Sequence, residues 1–517
     1  MKKLLLALVA TAALAAVASD FPQVVYVSPT GSDTTGDGTS ENPYLSISNT
    51  LDLAGVAFAD DGLARTVVLA AGTYSASSQD YPQDFPAVVP NGVSLKGAGM
   101  GATILDGAVE RHVLVQANAS ENAELSGFSL RNAAGRILAF SSWGGVVKDV
   151  EIANCTGTCL NSSHHDETLY YNNSGNSRNV VFQGLVMTNI NYVGYHNDQW
   201  GPPRFFDVEG VGTAVFTNCV FRKLTTNWTC PPNNATGHFY IRHHTSPTSD
   251  GISALFVDTL FEDFNGTGTG AKSTDTQYEG GTFYLGRPAG KHQFERCIFR
   301  NFNYCGYYKK SVDNETPLGA EQVFCPDKVN DNKVEDFRVV IDNCLFVNIN
   351  TFPRVGNARA GIVGGFRSMT RVVNCTFHGC QGMAPILAVN DEYQKLNVRM
   401  YNSSVSDCAQ IARGTQNRLW LYNCNVYNTS IEDTMYNASS ANITTEDPHF
   451  ANAAAGNFHL SDSSTALINK GDNSYVTSWT TDLRDLDGKP RIHGKNGTVD
   501  IGCYEKAGLT GLVVLVR

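Results

Sequence analysis

The stretch that decides the fold is residues 343–349, with the sequence NCLFVNI. A core-type residue, Cys344, is followed two residues later by Phe346 and three residues after that by Ile349. Alternate residues of a strand face the same side, so the first two positions predict an inward-facing strand. The third predicts a residue that faces inward again after a turn. We call these positions 0, +2 and +5 of a repeat.

The same spacing occurs ten times along the chain. Its position-0 residues are Phe128, Val150, Leu185, Cys219, Thr259, Cys297, Cys344, Cys375, Ser403 and Cys424. The preceding residue is usually Asn or Asp, which is typical of a polar stack at a bend. The intervals run from 21 to 47 residues, and the shortest is the length of a bare coil of three short strands. A helical repeat would need more residues and a 3.6-residue periodicity. The sequence therefore predicts an all-β fold, a parallel β-helix solenoid.

The unequal intervals predict where function lies. Intervals between Val150 and Cys375 are 31 to 47 residues long, and the additional residues must enter loops because the strands have to keep stacking. Loops on a rigid scaffold commonly carry binding and catalysis. We therefore expect one β-helix domain over residues 22–505, with long loops at about 156–335 and a short apolar tail at 506–517.

The N-terminus is typical of an exported bacterial protein. Residues 1–18 combine two lysines, an apolar run and a small-residue cleavage site, which predicts a signal peptide rather than a membrane span. We expect the protein to be secreted or at the cell surface, without a transmembrane segment and as a monomer. The net charge of −11 argues against a nucleic-acid partner.

Thirteen cysteines in an exported chain raise the question of disulfides. Eight of them occupy position 0 or +5, which favours a buried ladder of free thiols that fill the core. Bridges Cys344–Cys375 or Cys380–Cys408 remain an alternative, since neighbouring coils are about 4.8 Å apart. Cys305 and Cys325 flank a long loop and are a candidate bridge. No cysteine spacing predicts a zinc site.

Motifs at both ends resemble known families. Residues 25–45 and 66–74 resemble the opening of secreted pectate-lyase-like β-helix proteins. Residues 447–450, 456–460, 466–473, 485–491 and 500–505 resemble the C-terminal part of bacterial surface β-helix proteins with varied anchors. The resemblance implies a right-handed parallel β-helix and an extracellular location. It leaves the activity open, because the superfamily includes lyases, hydrolases, esterases and non-enzymatic surface proteins.

A second strand can be aligned across the middle coils. The alignment places Glu209, His243, Arg287 and Arg367 on one outward row, with Tyr240 and Tyr284 alternating at one level as a sugar platform would need. Coil-to-coil spacing would put such side chains within reach of successive sugars. The candidate catalytic residues are His243, Arg287, Glu209 and Asp207, and the candidate substrate-binding residues are Arg242, Arg367, Tyr240, Tyr284, Lys272 and Trp200.

These residue types suit two reactions on an acidic polysaccharide. Uronate elimination needs a cation for the carboxylate and a base for the C5 proton, which Arg287 and His243 would supply. Glycoside hydrolysis needs two carboxylates, for which Asp207, Glu209 and Asp250 are available. We therefore expect a polysaccharide lyase or glycoside hydrolase, with a polysaccharide as substrate or ligand.

Two alternatives remain open. One is a non-catalytic cell-surface or glycan-binding β-helix protein, which the C-terminal resemblance favours. The other is a carbohydrate esterase, because residues 285–288 resemble the Leu-Gly-Arg-Pro segment of pectin methylesterases. No cofactor is predicted from the residues, although the acidic turn with Asp33 and Asp37 is a candidate calcium site.

Overall fold

The structure, a computed structural model, describes 21–77, 83–109, 113–118, 120–159, 168–172, 178–194, 205–209, 212–228, 236–242, 252–268, 280–286, 291–303, 320–326, 337–350, 359–364, 369–381, 384–388, 398–414, 419–430, 440–476, 483–493 and 497–506. The predicted signal peptide, the apolar tail beyond 506, Cys305 and most of the predicted long loops lie outside these residues. Within them, no helix is long and apolar enough to cross a membrane.

The chain divides into two compact units. The first comprises Met1–Asn197, Pro203–Thr229 and Phe239–Thr245, and the second comprises Asp198–Pro202, Cys230–His238 and Ser246–Arg517. Each is built of coils in which three strands succeed one another and pair in parallel with the equivalent strands of the next coil. We call the resulting ladders A, B and C in chain order. The single-domain boundary at 22–505 stays a prediction.

The described strands of the first unit are short and follow the order A, B, C. Ladder A contains Val24–Val27, Arg65–Leu69, Val93–Lys96, Val180–Gln183 and Ala214–Thr217. Ladder B contains Gly72–Ser75, Thr103–Asp106, Val186–Gly194 and Val220–Trp228. Two long strands serve both ladders, Ala123–Arg131 and Gly145–Cys159. Ladder C contains Ala87–Val89, Val115–Asn118, Leu138–Ser141, Leu169–Asn172, Phe206–Glu209 and the end of Thr236–Arg242.

The second unit repeats the arrangement. Ladder A contains Ile252–Val257, Lys291–Glu295, Phe337–Asp342, Met369–Val373 and Val398–Tyr401. Ladder B contains Leu260–Gly268, Ile298–Phe302, Leu345–Ile349, Thr376–His378, Ser404–Ser406 and Ala441–Thr444, and Leu419–Tyr427 serves both ladders. Ladder C contains Gly280–Gly286, Ala320–Pro326, Arg359–Gly364, Ala384–Ala388 and Ala412–Gly414. Parallel strands joined by crossovers wind right-handedly. Each unit is a right-handed parallel β-helix, which confirms the predicted fold class.

The predicted repeat coincides with the coils. All ten position-0 residues are at most 2% exposed, and so are all ten +2 residues. Nine of the +5 residues are buried, and Thr429 is half-buried. In the second unit the +2 residues Phe261, Phe299, Phe346 and Phe377 stack face to face, with ring centroids 4.8, 4.7 and 4.5 Å apart. Such aromatic rows supply a large share of the buried apolar area in each coil.

The residue before position 0 forms the bend between ladders A and B. In all ten coils it has a left-handed backbone, with φ between 47° and 71°. These residues are Gly127, Asp149, Gly184, Asn218, Asp258, Arg296, Asn343, Asn374, Asn402 and Asn423. Asn and Asp tolerate this conformation better than other L-residues with a β-carbon, and glycine pays no steric cost. The Asn and Asp signal in the sequence therefore reports a backbone requirement.

The expected polar stack lies elsewhere in the coil. Side-chain hydrogen bonds run from coil to coil mainly at position +4, which is also left-handed in every coil. Asn189 bonds to Asn154 at 2.7 Å, Asn348 to Asn301 at 3.3 Å, and Asn428 to Asp407 at 2.6 Å. The two bends share one backbone conformation. At the first bend the described coil-to-coil contact is the ion pair of Arg296 with Asp258, with Nε 2.7 Å from Oδ1.

The cysteines at position 0 complete the first bend. The backbone N–H of Cys297 donates to Sγ of Cys344 at 3.4 Å, and the N–H of Cys344 donates to Sγ of Cys375 at the same distance. The N–H of Cys375 donates to Oγ of Ser403 at 3.0 Å. A small side chain with an acceptor atom thus satisfies a buried donor of the preceding coil. The nine cysteines whose side chains are described are free and buried. Eight of them are the cysteines at positions 0 and +5, which confirms the predicted thiol ladder, and the ninth is Cys503.

One helix, Ile47–Asp61, packs against the strands Arg65–Leu69 and Ala87–Val89 of the first unit. The loop before it is held by Asp33, whose Oδ1 accepts the backbone N–H groups of Leu45 and Ser46 at 2.9 and 3.0 Å. These hydrogen bonds help to lower the pKa of Asp33, although burial opposes them. The acidic turn proposed as a calcium site thus has a structural role in positioning the helix.

The C-terminal motifs form a separate element, residues 447–506, which we call the C-terminal clamp. It contains a small antiparallel hairpin, Phe450–Asn452 with Asn457–Leu460, and two short 3-10 helices, Ala453–Ala455 and Asn473–Tyr475. Within the second unit, Phe458, Cys503 and Tyr504 pack on Leu345 and Val347 of ladder B. The clamp also exchanges two hydrogen bonds between Asp472 and the bend residue Asn402, at 2.8 and 3.0 Å.

We predict that position 344 needs an acceptor atom more than it needs sulfur. Cys344→Ser should destabilise the protein by less than about 1 kcal/mol, because Ser403 already fulfils this role. Cys344→Val should cost about 1–3 kcal/mol, since it leaves the N–H of Cys297 buried without its acceptor. Denaturant unfolding measures both variants, and equal losses would contradict the acceptor role.

A second prediction concerns Lys223, which occupies the +4 bend with φ 52°. Lys223→Asn should be neutral or stabilising by up to about 1 kcal/mol, and Lys223→Val should destabilise by about 1–2 kcal/mol, because a β-branched residue is strained there. The neighbouring exposed strand residue Arg222 supplies the control, since Arg222→Val should change stability by less than about 0.5 kcal/mol. Equal losses of stability from Lys223→Val and Arg222→Val would contradict the requirement of the +4 bend for a residue that tolerates a left-handed backbone.

Candidate functional site

The predicted site residues differ in how much the structure says of them. Six of them lie outside the described residues, so their predicted roles stay predictions. These are His243, Arg287, Arg367, Lys272, Trp200 and Asp250. Four others lie on described strands of ladder C, for which the structure gives the backbone and its register: Glu209, Tyr240, Arg242 and Tyr284. Asp207 is described in full and is 2% exposed.

The register of ladder C corrects the sequence alignment. The structure pairs Phe206 with Phe239, whereas the alignment had matched Phe205 with Phe239. As a result Glu209 pairs with Arg242, one residue before His243. Phe205 and Phe206 are both buried, so the sequence offered two adjacent aromatic residues for one inward position. The same shift affects the last coil, where Ala412 instead of Ile411 lies level with Val363 through Ile386.

Two outward rows follow from this register in the first unit. Phe206 and Val208 are fully buried and face inward, so Asp207 and Glu209 lie on the other face of their strand. Through the Cα pairs, the first row is Gln116, Ala139, Tyr170, Asp207 and Tyr240. The second row is Asn118, Ser141, Asn172, Glu209 and Arg242. We call these two rows the outer face of ladder C.

The Cα register gives the order of residues along the two rows. Asp207 pairs with Tyr170 on the preceding rung and with Tyr240 on the following rung. Glu209 pairs with Asn172 and Arg242. Alternate residues of a strand have Cα atoms about 6.6 Å apart, which sets the distance between the backbone positions of Asp207 and Glu209. Rungs repeat at about 4.8 Å, which gives the face a periodic surface along the helix axis.

Arg136 and Tyr170 were missed by the sequence alignment. The guanidinium carbon of Arg136 lies 3.7 Å from the centroid of the Tyr170 ring, within the range of a cation–π interaction. The coil that carries Tyr170 was left out of the alignment because the strand Leu169–Asn172 is short and follows a long interval. The feature that marks this segment as a strand is the alternation of Leu169 and Tyr171, which are buried, with Tyr170, which is half-buried.

Ladder C of the second unit keeps the inward positions predicted from the sequence. Phe283 pairs with Phe324, which pairs with Val363, so these residues share one level as aligned. The rings of Phe283 and Phe324 stack with centroids 5.3 Å apart. The backbone of Tyr284 pairs with that of Cys325 on the next rung. Among the side chains that the structure describes, no cluster of three or more His, Cys, Asp or Glu is arranged to hold a metal ion.

Comparisons with known proteins place the fold in context. Residues 29–238 match the model of a family described as a protein of unknown function, DUF1565. A search of curated proteins returned no match. The structure is similar to that of pectate lyase Pel9A, with a TM-score of 0.42 and 13% sequence identity, over 95% of this chain and 99% of the other.

Two further solved structures show weaker similarity. One is an alginate lyase of family PL6 in complex with a trisaccharide, with a TM-score of 0.33 and 10% identity over 82% of this chain and 85% of the other. The other is pectin methylesterase PemA from Erwinia chrysanthemi, with a TM-score of 0.29 and 14% identity over 61% of this chain and 92% of the other. The assignment as a parallel β-helix rests on the strand ladders described above.

The corrected register can be tested by cross-linking. We predict that Glu209→Cys combined with Arg242→Cys forms a disulfide on oxidation, because paired Cα atoms on neighbouring strands are about 4.8 Å apart. Glu209→Cys with Tyr240→Cys is the matched control, since two residues of offset widen the separation to about 8 Å. Peptide mass spectrometry identifies the bridges. A bridge in the control and none in the first pair would contradict the register.

Proposed function

We propose that the protein is a secreted polysaccharide-active β-helix protein that binds and cleaves an acidic glycan along the outer face of ladder C. The observation that supports the proposal is the Cα register of ladder C, which pairs Asp207 with Tyr240 and Glu209 with Arg242. Export is supported by the composition of residues 1–18. The outer face belongs to the first unit, and every described residue used here lies in it.

Each group on the face suits one part of an acidic sugar. The Tyr170 and Tyr240 rungs offer aromatic surface with a polar tip, which suits the apolar face and hydroxyl groups of a sugar ring. Arg242 offers a planar fork of donors that matches a uronate carboxylate in two parallel hydrogen bonds. Asn118, Ser141 and Asn172 continue the second row with neutral hydrogen-bonding groups. A linear polymer that runs along the coils would meet these groups in succession.

The proposed reaction is hydrolysis by the carboxylate pair. Glycosidases place two carboxyl groups about 5–9.5 Å apart, one as acid and the other as nucleophile or base. The i, i+2 spacing of Asp207 and Glu209 on one strand is compatible with that range. In this assignment Arg242 neutralises the uronate next to the scissile bond.

The test measures cleavage and its chemistry together. The purified protein is incubated with polygalacturonate, alginate and a neutral glycan, and new reducing ends and unsaturated uronate are both followed. We expect reducing ends from an acidic glycan without unsaturated product. Asp207→Asn and Glu209→Gln should lower kcat by about 10²–10⁴ with unchanged melting temperature. Arg242→Ala should raise KM for the acidic glycan by about tenfold.

The matched control is Glu124→Gln, which removes a half-exposed carboxylate paired with Lys96 on ladder A of the same unit. It should leave both kinetic constants unchanged. Full activity of Asp207→Asn and Glu209→Gln would contradict the site. Unsaturated uronate in step with reducing ends would replace hydrolysis by elimination, for which His243 and Arg287 are the candidates. Glycan binding without cleavage would establish a binding protein instead.

A further inference from the structure

Tyr170 has a defined place on the outer face of ladder C. Its neighbours Leu169 and Tyr171 are fully buried, and the hydroxyl of Tyr171 donates a hydrogen bond to the backbone oxygen of Trp143. Because both neighbours point into the core, the side chain of Tyr170 points outward, where it is half-buried. Its Cα pairs are Ala139 on the preceding rung and Asp207 on the following rung.

Arg136 reaches this row from the coil that precedes Tyr170. The backbone N–H groups of Gly135 and Ile137, on either side of Arg136, donate to backbone oxygens of the next coil at 2.9 and 3.1 Å. The side chain of Arg136 therefore leaves from a fixed segment of backbone. The outward residue of the same coil, Ala139, adds only a methyl group to the row, so its small size leaves room for the guanidinium beside Tyr170.

The contact between the two side chains is a stack. The guanidinium carbon of Arg136 lies 3.7 Å from the centroid of the Tyr170 ring, which places the cation over the face of the ring. Stacking engages the flat faces of both groups, whereas the N–H donors of a guanidinium lie in its plane. The contact therefore holds a positive charge on the row without using those donors in the stack.

The position of this charge relative to the two carboxyl groups bears on the substrate. Arg136 stacks on Tyr170, one rung before Asp207, and the backbone of Arg242 lies one rung after that of Glu209. Rungs repeat at about 4.8 Å, so the rungs of Tyr170 and Arg242 are about 9.6 Å apart along the axis. An arginine on one side alone would suit a glycan with isolated acidic sugars. Arginines on both sides suit a glycan whose acidic sugars follow one another.

We propose that Arg136 is a specificity-determining residue that binds the carboxylate of a sugar beside Tyr170, so that the substrate is a polyuronate with acidic sugars on both sides of the cleaved bond. The inference rests on the proposed function of the outer face of ladder C. A guanidinium offers a carboxylate two parallel hydrogen bonds, and the stack on Tyr170 fixes the plane in which they lie. A glycan with isolated acidic sugars would leave one of the two arginines without a counter-charge.

Binding of tetrasaccharides tests this assignment without requiring turnover. Isothermal titration calorimetry in an Asp207→Asn background compares tetragalacturonate and tetramannuronate with fully methyl-esterified tetragalacturonate, which has the same backbone without the charges. The background protein should bind at least one acidic probe more tightly than the ester. Arg136→Gln should raise the Kd of that probe about tenfold and leave the Kd of the ester unchanged, because only charge-assisted hydrogen bonds are lost. Arg136→Lys keeps the charge without the planar fork and should raise the Kd about threefold.

Arg222→Gln is the matched control, because Arg222 is an exposed arginine on ladder B of the same unit. It should leave the Kd of every probe unchanged. An unchanged Kd of the acidic probe in Arg136→Gln, or an equal rise in Arg222→Gln, would overturn the inference, while loss of cleavage in Asp207→Asn would still support the proposed function. A parent protein that binds no acidic probe would overturn both. If Arg136→Gln fails to fold, Arg136→Lys decides by the same comparison.

Discussion

The structure depends on one constraint, the left-handed backbone of the residue before position 0. This conformation turns the chain from ladder A into ladder B within a single residue, and it occurs in all ten repeats. It also directs the N–H of the following residue away from the regular ladder pairing, into the core. In the coils of Cys297, Cys344 and Cys375 a sulfur or oxygen atom of the next coil accepts that N–H. Bend conformation, residue choice at position 0 and coil stacking are therefore linked.

Much of the fold was predictable because these constraints are local. An Asn or Asp followed by a small or apolar residue, and then by two further apolar residues at fixed spacing, identifies seven of the ten bends and the strands around them. The free state of the cysteines followed from the same pattern, although the sequence suggested volume as the reason and the structure adds a hydrogen-bonding one. The polar stack was expected at the first bend, whereas most of the described side-chain hydrogen bonds between bends lie at the second, and both bends favour Asn and Asp.

The candidate site was harder to predict than the scaffold. Among the described residues, ladder C carries no left-handed marker at a fixed distance, so its register had to be inferred from aromatic residues alone. Where two aromatic residues are adjacent, as at Phe205 and Phe206, that inference fails by one position. A shift of one residue matters on an outward face because it changes which side chains share a rung. The packing of the clamp could not be predicted from the sequence either, because its contacts join residues about a hundred positions apart, as between Arg371 and Tyr475.

The hydrogen bonds at position 0 all run in the same direction along the coils. Each such bond runs from the backbone of one coil to a side chain of the coil that follows in sequence. A coil whose successor is missing therefore lacks the acceptor for one buried backbone donor. The last of the ten repeats, at Cys424, has no further repeat after it. At this end the bends make a different contact: the side-chain amides of Asn402 and Asn423 donate to the backbone oxygens of Asp472 and Lys470 in the clamp.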